Sequence, residues 1–179
     1  AEAVASVADR LDEELVTWRS GSRPDLLGFY VEDEPPQWLS DRMARLEERF
    51  NQRANDFHLL YSLHSTTALG FWQTAGSTVR MTRAYPVRKD RPTNPSIRDE
   101  LADYLSWAQS DDPDAPVWLV VQAFGDGRRP NLWNPPTASQ LRLMVNLALA
   151  RGVQGLTYFC YESSPTGPED LIGLVRWPF

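Results

Sequence analysis

Three carboxylates, Glu32, Asp33 and Glu34, follow one another at the end of the apolar run Leu26-Leu27-Gly28-Phe29-Tyr30-Val31, and Pro35 and Pro36 close the segment. Crowded carboxylates disfavour one another's ionisation, so the last to ionise keeps its proton toward neutral pH and can serve as a general acid. Side chains alternate across a strand, so Leu27, Phe29 and Val31 share one face and Tyr30, Glu32 and Glu34 the other. Two positions along a strand separate Cα atoms by about 6.5–7 Å, close enough for Glu32 and Asp33 to tune Glu34. Carboxylates therefore collect at the C-terminal end of this strand, where parallel α/β folds usually do their chemistry. The plainer alternatives are an acidic first turn of the next helix and an ion pair between Glu32 and Arg80 or Arg83.

Other polar and aromatic residues fall where further strands end. His64 closes the run Phe57 to His64, Tyr85 stands before Pro86, and Gln122 lies near the end of Val117 to Phe124. Asp126 and Trp133 occupy the loop after that strand, and Tyr161 and Glu162 follow the last one. Tyrosines at a strand's end can hydrogen-bond a ligand, and an indole such as Trp133 offers a flat apolar surface on which one can stack. Trp38, Trp72, Trp107 and Trp118 sit within helical or buried-strand patterns and are expected to be structural. No metal or other cofactor is expected: His58 and His64 lack a ligand-like spacing, and no strand is followed by G-x-G-x-x-G or G-x-x-x-x-G-K-[ST].

The elements that must position these groups alternate along the chain. Val4, Val7, Leu11, Leu15 and Trp18 recur at helical spacing; the first strand, 26–32, follows Gly21-Ser22-Arg23-Pro24. A helix is predicted from Gln37 to about Asn55, with Trp38, Leu39, Met43, Leu46 and Phe50 on its apolar face. Strands are predicted over 57–64, 78–85, 117–124 and 155–161, and helices over 97–107 and 138–150, the last capped by Thr137 and stopped by Gly152. The stretch 117–124 is almost wholly apolar, as expected of a strand buried on both faces. The tail after Glu162 has no assigned place. This α(βα)4β rhythm is that of an α/β fold with a parallel sheet and helices outside, as part of a (β/α)8 barrel or, in rivalry, an open doubly wound sheet.

Composition sets the remaining bounds. The 179 residues are 42% hydrophobic and 23% charged, ample for one domain, 1–179, with a real core. A net charge of −6 argues against nucleic acid and anionic membrane as partners, because both require a basic surface. No apolar stretch approaches the roughly 20 residues that cross a bilayer. The single cysteine, Cys160, cannot form an internal disulfide and is expected to pack as a small hydrophobe. The absence of an initiator methionine and the helical pattern at the very start suggest a segment of a longer protein, from which a signal peptide could be missing. An extracytoplasmic location would follow in that case; the compartment and oligomeric state are otherwise open.

Asp33-Glu34-Pro35 at one strand's end, Ala84-Tyr85-Pro86 and Gln122-Ala123-Phe124 at two others, and the closing Gly155-Leu156-Thr157-Tyr158-Phe159 together resemble glycoside hydrolase barrels of the clan with an Asn-Glu-Pro acid/base signature. The resemblance spans nearly the whole chain. It implies that the strands are about the fourth to eighth of a (β/α)8 barrel, which usually takes about 250 residues in full. It also implies that Glu34 is the acid/base residue acting on a polysaccharide or oligosaccharide, with Asp33 in place of the signature's asparagine. The clan's nucleophilic glutamate would fall at Gln122, whose neutral amide cannot attack an anomeric carbon in the usual way. Either Asp126 or Glu162 supplies the second function, or a group on the substrate does, or the chain is a carbohydrate-binding or scaffold barrel without turnover. Gly28 to Glu34 is also similar to the fourth-strand pattern of chitinases, with Tyr30 in place of the first acid.

Overall fold

The computed structural model describes residues 28–33, 36–53, 58–63, 72, 79–91, 93–110, 112–126, 132–160, 163 and 171–174. The helix expected at the N-terminus lies outside them. Two compact units divide the chain, one of residues 1–61 with 65–79 and the other of residues 62–64 with 80–179.

In the first unit β1, Gly28–Asp33, neighbours β2, His58–Leu63. Between them a 3-10 turn, Gln37–Leu39, precedes α1, Ser40–Arg53. The turn occupies what the spacing alone assigns to the helix, and this changes the reading of Trp38. It belongs to the turn, outside the helical stripe, and is 69% exposed with the Arg42 guanidinium 5.6 Å from its ring. Trp38 is therefore a surface residue and not part of the core; Trp72 is fully buried, as expected. On α1, Leu46 and the neighbouring Glu47 are both buried.

The second unit is a parallel sheet layered with helices. Ser62 and Leu63 pair with Met81 and Thr82 of β3, Arg80–Ala84, which pairs along its length with β4, Val117–Gln122. β4 in turn pairs with β6, Gly155–Phe159, and all three pairings are parallel. Parallel neighbours need crossovers, and α2, Asn94–Ala108, and α3, Ala138–Ala150, provide them. α2 starts earlier than its apolar spacing suggests because Thr93 caps it, its hydroxyl accepting the Ser96 N–H, and Pro95 fits a first turn that needs no N–H partner. At α3 Thr137 and Gln140 form a reciprocal capping box, and Gly152 ends the helix at a φ of 80° that only glycine adopts without strain.

The sheet's two faces differ. Arg80, Thr82 and Ala84 share a face with Val117, Leu119 and Val121, and against it α2 presents the stripe Ile97, Leu101, Leu105 and Ala108 while α3 presents Met144 and Ala148. Each leucine so buried contributes about 1.5–3 kcal/mol. Arg80 marks the edge of this layer: its Nη1 donates to the Ala108 carbonyl at 2.9 Å, a cation at a helix C-terminus. Register puts Met81 and Arg83, Trp118, Val120 and Gln122, and Gly155, Thr157 and Phe159 on the other face. Gly155 is required there, since any Cβ would overlap the Trp118 indole.

After β4 the chain makes a short strand, β5, Gly125–Asp126, which the composition of that loop does not announce. It pairs antiparallel with β7, Leu171–Ile172, and so places these two residues of the tail.

Candidate functional site

Four aromatic side chains meet at the C-terminal edge of β3, β4 and β6. Tyr85 follows β3, Phe124 follows β4, Phe159 ends β6, and Trp133 comes from the loop after β5. Phe124, buried, is the centre: its ring lies 4.9 Å from Tyr85, 5.4 Å from Trp133 and 5.3 Å from Phe159, edge to face in each case. Tyr85 and Trp133 meet edge to face at 6.2 Å, and Tyr85 lies within 23° of parallel to Phe159. Such offset and edge-to-face arrangements are the ones the ring quadrupoles favour. Tyr85 and Trp133 are half-buried and Phe159 is exposed, so three aromatic rings border solvent above a buried fourth. The Arg83 guanidinium sits 5.1 Å from the Tyr85 ring centre.

Backbone hydrogen bonds join the two loops that carry Tyr85 and Trp133. The amide of Lys89 donates to the Leu132 carbonyl and that of Asn134 to the Val87 carbonyl, and Arg88 and Trp133 form an antiparallel bridge. Asp126 holds the Trp133 side of this junction. Its Oδ2 accepts the N–H groups of Leu132 and Trp133, each at 3.1 Å, while its own N–H donates to the Trp133 carbonyl. The carboxylate proposed from sequence as a second reacting group is thus buried and engaged with main chain.

Gln122 is fully buried beneath the same junction. Its Oε1 accepts the Val87 N–H at 2.8 Å, and its Nε2 donates to the carbonyls of Asn134, Phe124 and Val87 at 3.0, 3.1 and 3.2 Å. The resemblance sets this residue at the place of a nucleophile; its amide is turned inward onto backbone. The surface outside is basic, with Arg88, Lys89 and Arg91 about Asp90. The hydrogen bond from Arg88, aided by the charges of Arg88 and Arg91, holds the exposed Asp90 carboxyl below its usual range.

Of the residues expected to do chemistry, Tyr85, Trp133, Gln122 and Asp126 come together in this unit. Glu32 and Asp33 belong to β1, with their side chains outside the described set, and Glu34, His64, Tyr161 and Glu162 lie outside the described residues altogether. Phe124 and Phe159 are contributors that sequence reasoning missed: both lie in apolar strand runs, where a phenylalanine reads as core. Their position, Phe124 two residues past β4 and Phe159 at the last residue of β6 on the side of the sheet away from the helices, is the signal that separates them. Among the described residues no group of three His, Cys, Asp or Glu side chains could hold a metal ion, and no helix is long and apolar enough to cross a membrane.

No family model matches the sequence, nor does any curated protein. Solved structures do. The fold is similar to that of a β-galactosidase from the psychrophilic Marinomonas ef1, with a TM-score of 0.56 at 17% identity over 76% of this chain and 24% of that one. It is similar also to a protein assigned as an α-L-fucosidase from Bacteroides thetaiotaomicron VPI-5482, with a TM-score of 0.58 at 12% identity over 88% of this chain and 54% of that one. The chain therefore spans about a quarter and about half of these two proteins. Its fold class is α/β, made of the parallel β/α units of a partial (β/α)8 barrel, and in fold it is similar to these two proteins.

Proposed function

We propose that the protein is a carbohydrate-acting barrel of glycoside hydrolase type, one domain over 1–179 from a longer chain, with Glu34 as general acid/base. The observation that carries the carbohydrate reading is the aromatic platform of Tyr85, Trp133 and Phe159 over Phe124, at the strand ends where parallel β/α folds place their ligands. Apolar sugar faces stack on such rings. Likeness in fold to a β-galactosidase and a fucosidase-like protein supports the same substrate class, oligosaccharide or polysaccharide. Glu34 would protonate the leaving oxygen, with Glu32 and Asp33 raising its proton affinity. Glu162 is the favoured second carboxylate, since Asp126 is already engaged by backbone amides. His64 and Tyr161 are proposed as sugar contacts. Membership of the Asn-Glu-Pro clan, with strands four to eight, belongs to the same proposal.

A panel of aryl β-galactosides, aryl α-L-fucosides and larger glycans tests it. Glu34→Gln, still folded, should lose about 10²–10⁴-fold in hydrolysis of any glycoside the parent cleaves. Unchanged turnover removes Glu34 from the mechanism.

The second reading, sugar binding without turnover, is favoured by one observation: the neutral, inaccessible Gln122 stands where the resemblance places a nucleophile. Calorimetry that detects glycan binding with no product formed would select it.

A further inference from the structure

Gln122 carries more of this site than its place in the sheet requires. A buried glutamine needs partners for two N–H groups and a carbonyl oxygen, and one neighbour would meet part of that need. Here every contact goes to main chain beyond the end of β4, and the partners belong to three segments: Val87 in the loop after β3, Phe124 just past β4, and Asn134 next to Trp133. Val87 is held at both its N–H and its C=O, as an adjacent strand would hold it. Val87 is two residues from Tyr85, and Asn134 adjoins Trp133. One side chain therefore ties together the backbone that bears Tyr85, Phe124 and Trp133.

From this geometry we infer that Gln122 is a positioning residue for the aromatic platform, and that the neutral amide is the form this position requires. The inference rests on the platform described above and not on any sugar bound to it. Three carbonyl oxygens aim their lone pairs at Nε2. A carboxylate oxygen at that place meets only acceptors and is repelled, so a glutamate there cannot ionise without opening the junction. A protonated glutamic acid restores one donor and keeps the acceptor for Val87 N–H. The position that would bear a nucleophile in a two-carboxylate hydrolase is thus committed to architecture, and the replacement of its charge by an amide has a physical reason.

The test is hydrogen exchange on the full chain, read at the amides of Val87, Lys89 and Asn134, for the parent, Gln122→Glu and Gln122→Leu at about pH 5 and about pH 9, each variant compared with the parent at the same pH. Gln122→Leu should exchange at least about tenfold faster at these amides at both pH values, while amides of α3 keep the parent's protection. Gln122→Glu should match the parent at about pH 5, where a buried carboxyl is protonated, and exchange like the leucine variant at about pH 9. If Gln122→Leu cannot be obtained folded, the pH response of Gln122→Glu decides alone. Parent-like protection of the three amides in Gln122→Glu at both pH values overturns the inference, as does loss of protection spread equally through α3. A parent that shows the expected protection but binds neither methyl β-D-galactoside nor methyl α-L-fucoside supports the clamp while counting against the carbohydrate reading.

Discussion

At the scale of single residues, the platform and Glu47 make separate demands. Trp133 is anchored through its backbone, by the Asp126 carboxylate at its N–H and the Asp126 N–H at its carbonyl. Trp133→Ala should therefore leave the loop in place and remove only the indole. Affinity for any glycan that binds the parent should fall about tenfold or more, ~1.4 kcal/mol or above, measured by calorimetry, with the melting temperature little changed. Equal affinity would move sugar contact elsewhere. Glu47 is 3% exposed, and among the described residues neither of its carboxylate oxygens has a hydrogen-bond partner. Burial pushes its carboxyl up to about 7 from 4.5. The folded protein then holds a proton that the unfolded chain releases, so the contribution of this group to stability is fully present below about pH 4.5 and is lost as pH rises through about 7. The decline is of order 3 kcal/mol at most, and urea midpoints at about pH 5 and about pH 8 measure it. Glu47→Gln should flatten the slope; an unchanged slope assigns it to another group. Glu47 sits in an acidic, Arg-rich stretch of α1 that reads as a solvated face, which is why its burial was not legible from sequence.

At the scale of elements, the helix ends and strand cores were written locally. The Thr137 cap, the Gly152 stop and the bounds of α3 follow from side-chain chemistry within a few residues, and the structure repeats them. The run Val117 to Gln122 is apolar because α2 and α3 cover one face and few of its residues meet solvent on the other. Trp38 departs because a 3-10 turn shifts the helix start, and periodicity carries no information about where a helix begins. β5 and β7 are two residues each and pair across a long stretch of chain, so neither has a pattern long enough to recognise. Gly155 is an element-scale requirement, since it lets the Trp118 indole lie across the β4–β6 pair. Gly155→Ala should destabilise by about 1–3 kcal/mol in denaturant titration through overpacking, and a neutral result would mean that the indole can swing aside at little cost.

For the molecule as a whole, charge and fold act on different properties. With a pI near 4.9, repulsion between copies vanishes near pH 5, and solubility should be least there even as the Glu47 carboxyl favours folding at that pH. A precipitation profile across pH checks the first and dilute urea titration the second; a solubility minimum far from pH 5 would mean that apolar surface, not net charge, controls association. The alternation of strand and helix, the parallel order and the α/β class were legible in the chain because period-two and period-3.6 patterns are imposed by local backbone geometry. So was the placement of Tyr85 just after a strand and of Trp133 in a loop following one. The company those side chains keep was decided only in three dimensions. Phe124 beneath them, Gln122 turned inward and Asp126 spent on backbone amides depend on contacts between segments distant in sequence, and no local pattern records which neighbour will occupy a side chain's hydrogen bonds.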